Sequence, residues 1–159
     1  MQKEKNSKEA QGVGTAQEQM NEQFNIATKE LLLFIDLDFI QPTYEYLILA
    51  WIGSENLDSD TKTERSNIYY FNRTFLRFLS EASKGPENRN LFTEFIDGWD
   101  LNNAKERFYE VYDGFLCSDE SDDLITRTNG IFLYKELNRY LEKIYEIKDT
   151  FQPEFKITA

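Results

Sequence analysis

The chain has 159 residues, 40% of them apolar, and its thirteen Phe, nine Tyr and two Trp supply bulk for one folded core, which excludes wholesale disorder. A formal net charge of −11 disfavours direct binding to nucleic acid or to an anionic membrane surface. With no histidine and one cysteine, the chain has no Ser-His-Asp or Cys-His catalysis, no His-ligated metal and no intramolecular disulfide.

Residues 1–20, "MQKEKNSKEAQGVGTAQEQM", are polar, with Val13 their single branched aliphatic, and read as a disordered N-terminal tail. A first helix is expected from Asn21 to about Leu37. At roughly 100° per residue, Phe24, Ala27, Leu31, Phe34 and Ile35 share one face, with Ile26, Leu33 and Leu37 opposite. Residues 34–42, "FIDLDFIQP", place two acids inside this apolar run. Asp38 and Gln41 have the spacing of a capping box, Asp36 reads as a flank residue near Lys29, and Pro42 falls in the first turn of a second helix ending at Ile52. A strand over Leu31–Ile40 is a second reading, because short apolar runs suit either element.

Thr61 and Glu64 fit a capping box for a third helix, Lys62 to Ser83, with Ile68, Phe71, Phe75, Phe78, Leu79 and Ala82 as its core stripe. A short helix near Glu87–Ile96 follows. Asp100 can cap a fifth helix over Leu101–Leu116, where Leu101, Ala104, Phe108, Val111, Tyr112 and Phe115 keep helical spacing. "CSDESDD" is an acidic connector without the alternating acids, central Gly and terminal Glu of a calcium loop. A helical turn over Asp122–Arg127 is expected to break at "TNG", before a last helix over Ile131–Lys148. The sum is an all-α protein: a tail over 1–20, one bundle of about five to seven helices over 21–150, and a C-terminal extension over 151–159.

Two carboxylate ladders repeat the spacing i, i+4, i+7: Glu106, Glu110 and Asp113 on the fifth helix, and Glu142, Glu146 and Asp149 on the last. Facing ladders would bind Mg²⁺ through oxygen, as in all-α nucleotide pyrophosphohydrolases. Both ladders, however, lie opposite their helix's core stripe, as solvated acidic faces do. Cys117 has acidic neighbours and no base, which disfavours a reactive thiolate and suits a partly buried, inert thiol.

Charge is segregated along the chain. Residues 61–85 hold five bases and two acids, whereas residues 100–123 hold eight acids and two bases. Lys62, Tyr69, Tyr70, Arg73, Arg77 and Lys84 gather on the outer side of the third helix, the residue mix of an interaction hot spot. The functional expectation is a cytoplasmic, non-enzymatic interaction protein, an adaptor, accessory subunit or inhibitor that binds another protein and uses no metal or cofactor. Its binding residues would be that face of the third helix and the two acidic faces. Two alternatives stand beside it: an acidic mimic of nucleic acid that blocks a DNA- or RNA-binding protein, and a Mg²⁺-dependent pyrophosphohydrolase built on the ladders.

Overall fold

The computed structural model describes residues 2–54, 61–85 and 89–152, with side chains from residue 16 onward except at Arg89. Among the described residues six α-helices run in the order α1 (Gln2–Phe34), α2 (Leu37–Ile52), α3 (Lys62–Ala82), α4 (Arg89–Gly98), α5 (Leu101–Leu116) and α6 (Leu124–Phe151), with a 3₁₀ turn at Asp119–Asp122. The described residues include no strand, so residues 31–34 belong to α1, residues 37–40 to α2, and Ile35 and Asp36 to the junction between them.

The N-terminal boundary differs from the expected tail. Helical backbone starts at Gln2, and the packed domain already includes Met20, which is wholly buried, and Gln17, whose side-chain amide donates to Thr93 Oγ1 at 3.3 Å. Met20 lies one turn before Phe24, so it extends the same apolar face into residues whose polarity suggested disorder. Residues 153–159 of the expected C-terminal extension, and the expected helix start at Glu87, lie outside the described residues.

The α1–α2 junction reverses the roles read for its two acids. Asp36 is the cap: its carboxylate accepts from the Asp38 N–H at 3.0 Å, and its carbonyl accepts from the N–H groups of Phe39 and Ile40. Asp38 falls in the first turn of α2, where a negative charge suits the helix dipole. Pro42 then stands one turn deeper than expected, and the carbonyl it leaves unserved belongs to the exposed Asp38.

Helix α3 carries both halves of its capping box. Thr61 N–H donates to Glu64 Oε2 at 2.8 Å, and Glu64 N–H donates to Thr61 Oγ1 at 3.2 Å. Helix α5 has the expected bounds, with Asp100 accepting from Asn103 N–H at 2.9 Å. The last helix does not break at Thr128–Asn129–Gly130. Asp123 caps it, and α6 runs through the glycine. A Cβ on Gly130 would sit 2.5 Å from Phe115 Cε1 and 3.2 Å from Leu47 Cδ2. The glycine lets α5 and α2 press against α6; it ends nothing. Gly114 does the same for Trp51, whose Cδ1 would lie 2.4 Å from an added Cβ.

The core is a field of stacked rings. Phe24 stacks on Phe92 at 4.2 Å, Phe78 on Phe95 at 4.3 Å, and Phe75 edges onto Phe108 at 5.8 Å. One polar node sits inside it. Asn72 is fully buried; its amide donates to the carbonyls of Ile68 (2.8 Å) and Arg107 (2.9 Å), and its oxygen accepts from the buried Tyr44 hydroxyl at 2.7 Å. The node ties α2, α3 and α5 together. A second buried link, 2.8 Å between Thr28 Oγ1 and the Tyr140 hydroxyl, joins α1 to α6.

Asn72→Ala leaves the Tyr44 hydroxyl without a partner in an apolar core and is expected to cost about 2–3 kcal/mol in urea denaturation; a loss within about 0.5 kcal/mol would remove the node from the stability of the fold. The capping carboxylates link stability to pH. Glu64, Asp100 and Asp123 all have lowered pKa values, chiefly because backbone N–H groups donate to the ionised form. A carboxyl depressed by folding stabilises the fold fully above its unfolded pKa, near 4, and loses that contribution as the pH falls through the folded value. The urea midpoint is therefore expected to drop between about pH 5 and about pH 3. The variant Glu64→Gln/Asp100→Asn/Asp123→Asn should drop less over the same interval, because its caps do not titrate; an equal drop would exclude the caps as the cause.

Candidate functional site

The residues expected to share one face of α3 fall into separate groups. The Arg73 guanidinium lies 5.3 Å from the centre of the Tyr69 ring, donates from Nε to the Tyr69 hydroxyl at 3.1 Å, and reaches Glu45 of α2 at 3.7 Å. Tyr69 and Arg73 thus lean toward α2. Lys84, at the far end, is bonded to Glu81 at 2.7 Å. Lys62 is exposed in the first turn. Tyr70 and Arg77 face the other way, toward α4, where they border a cleft of about 380 Å³.

This cleft lies between α3 and α4. Phe78 and Phe95, nearly buried and stacked on each other, form its base. Tyr70, 61% exposed, and Trp99, half-buried, form its aromatic walls with ring centres 5.9 Å apart. Thr74, Arg77 and Glu94 bring polar groups, Arg77 from α3 and Glu94 from α4. Among the described residues Arg77 makes no ion pair. Gly98 lines the cleft without a side chain, and a Cβ there would meet nothing within 4 Å.

Trp99 is fixed from several sides. Its ring meets Phe71 edge-on at 5.1 Å, the Arg107 guanidinium lies 4.7 Å from its ring centre, and its carbonyl accepts from the Tyr145 hydroxyl at 2.5 Å. The Arg107 backbone is in turn held by Asn72. The cleft is therefore preformed, with Tyr70 on α3 and Trp99 pinned at the α4–α5 junction. Trp99, Arg107, Thr74 and Glu94 were not among the residues singled out by sequence. Trp99 had one local signal, its place between the end of α4 and the Asp100 cap of α5, where an aromatic is held by two helices at once.

The acidic ladders do not face each other. Glu106 and Glu110 border a groove of about 270 Å³ between α3 and α5, shared with Glu64 and Arg107. Glu142 lies at the α5–α6 seam, 2.5 Å from Lys105 Nζ. Asp113 is half-buried, and Glu146 and Asp149 are exposed. Among the described residues no three Asp, Glu or Cys side chains are grouped so as to hold a metal ion. Cys117, expected to be partly buried, is exposed at the end of α5. The acidic connector is an ordered turn in which the Tyr46 hydroxyl donates to Glu120, and this bond is the main reason the Tyr46 pKa is raised.

Comparison with protein-family models, with curated proteins and with solved structures found no match to this chain. Among the described residues no helix is long and apolar enough to cross a membrane.

Arg107→Met keeps the aliphatic cover over Trp99 but removes the cation. It is expected to lower stability by about 0.5–1 kcal/mol and to shift Trp99 emission, read against a Trp99→Phe background. Emission identical to the parent protein would mean that the guanidinium does not hold the ring.

Proposed function

We infer that this protein is a non-enzymatic, cytoplasmic interaction protein that acts on another protein as an adaptor, accessory subunit or inhibitor. The observation that carries this reading is the preformed aromatic cleft beside Arg77, which makes no ion pair among the described residues; Tyr69 and Arg73, on the α2 side of the same helix, add a second Tyr–Arg pair. Tyr, Trp and Arg presented on rigid elements are the composition of binding hot spots. Among the described residues, the groups with shifted pKa values are helix-capping carboxylates and tyrosines, and each shift follows from a capping bond, burial or a neighbouring structural contact. Catalytic sites instead gather perturbed groups around one cavity. A pyrophosphohydrolase would need the ladders to converge, and Glu142 is directed to Lys105 while Glu106 and Glu110 border α3.

The test is affinity purification from the native host with the parent chain and with Arg73→Glu/Arg77→Glu. Both residues are at least partly exposed, so the double variant should keep its helical circular dichroism while losing the captured protein. An unchanged set of captured proteins would overturn the assignment of this face.

A further inference from the structure

The α3–α4 cleft specifies its occupant more closely than "another protein". The geometry points to a short peptide segment of the partner in which one aromatic or large aliphatic anchor side chain is flanked by a carboxylate and a cation. The inference rests on the interaction reading above.

Three observations select this chemistry. First, the base and sides of the cleft are aromatic and its size is that of a short segment. At about 380 Å³, with Phe78 and Phe95 beneath and Tyr70 and Trp99 at its sides, it takes an anchor side chain together with its flanking residues, not a folded surface. Second, the two walls carry opposite charges. Arg77 on α3 makes no ion pair with a described residue and can take a carboxylate in the bidentate manner of a guanidinium. Glu94 on α4 accepts hydrogen bonds only and suits a Lys or Arg of the peptide. An anchor between two opposite charges is the complement of this lining. Third, the surroundings oppose a polyanion. Glu94 is in the lining, and Tyr145, bonded to the Trp99 carbonyl, has its pKa raised first by burial and then by the nearby Asp100 and Asp97. Successive phosphates of a nucleic acid would meet these carboxylates, whereas a peptide places one acid at Arg77 and a cation at Glu94. Tyr70 and Trp99 alone would serve as a base-stacking platform; the charge distribution makes them an anchor slot.

The test uses blocked pentapeptides, acetyl-Gly-Asp-Phe-Lys-Gly-amide and its Lys-Phe-Asp reverse, titrated to millimolar concentration into the full chain. The readouts are Trp99 fluorescence and amide shifts by NMR. At least one order is expected to move the Trp99 indole and the amides of Tyr70, Thr74 and Gly98, with saturation. Replacing Phe by Ala in the peptide should abolish the response. Arg77→Gln should weaken it by about tenfold, the effect of one charge-assisted contact. Thr74→Trp, which fills the cleft from α3, and Gly98→Leu, which adds bulk where a Cβ meets nothing, should both block it; circular dichroism shows which of them keep the fold.

Three results would overturn the inference: no saturable response to either peptide, an equal response to the Ala peptides, or oligothymidylate binding more tightly than either peptide. If the native partner is lost with Arg73→Glu/Arg77→Glu but retained by folded Thr74→Trp and Gly98→Leu, the interaction function stands and the cleft is not its anchor site.

Discussion

The register of α3 depends on Asn72. A buried amide surrounded by rings is costly unless its donors and acceptor are matched, and here both donors and the oxygen are used by Ile68, Arg107 and Tyr44. Apolar packing alone tolerates small slides between helices. A directional hydrogen-bond set does not, because one residue of slippage moves a side chain about 1.5 Å along the axis and roughly 100° around it. With Asn72 in place, Tyr70 and Arg77 are held toward α4 and Tyr69 and Arg73 toward α2. The same amide fixes the Arg107 backbone, whose guanidinium covers Trp99. A core constraint is in this way transmitted to a surface wall.

The molecule combines strong overall acidity with a local basic face. The net charge of −11 repels polyanions at long range, while Arg77 and its neighbours act only within roughly a Debye length, about 8 Å at physiological salt. Such an arrangement separates attraction from recognition. In general, net charge acts on approach and short-range contacts act on docking. The segregation of charge along the chain becomes a spatial one because α3 and α5 pack side by side, with Glu106 and Glu110 bordering the groove between them.

What was legible in the sequence was local. The Thr61–Glu64 box and the bounds of α5 need only neighbouring residues, and both are as expected. The cap at Asp36 was misassigned to Asp38 because both residues have acceptors near the same amides, and the choice is made by where α1 stops. Gly130 read as a helix breaker because its role depends on Phe115 and Leu47, fifteen and more residues away in sequence. The start of α1 was missed because Gln, Glu and Lys suit a helix and a tail equally, and Met20 declares itself only through burial. The cleft is the extreme case. Tyr70 and Arg77 were visible on one helix, but Trp99, Phe95 and Glu94 join them only through the packing of α4 on α3.

The Thr28–Tyr140 bond joins the ends of the bundle across 112 residues of sequence. During synthesis, on the order of ten seconds separates the appearance of these two residues. Until α6 arrives, the faces of Leu47 and Phe115 that close on Gly130 have no cover, and α1 lacks its antiparallel mate. The cell therefore holds, for each new copy, an interval in which a ring-rich surface is open before the chain can shield it. The length of that interval scales inversely with elongation speed, a dependence that follows from topology and not from the stability of the finished fold.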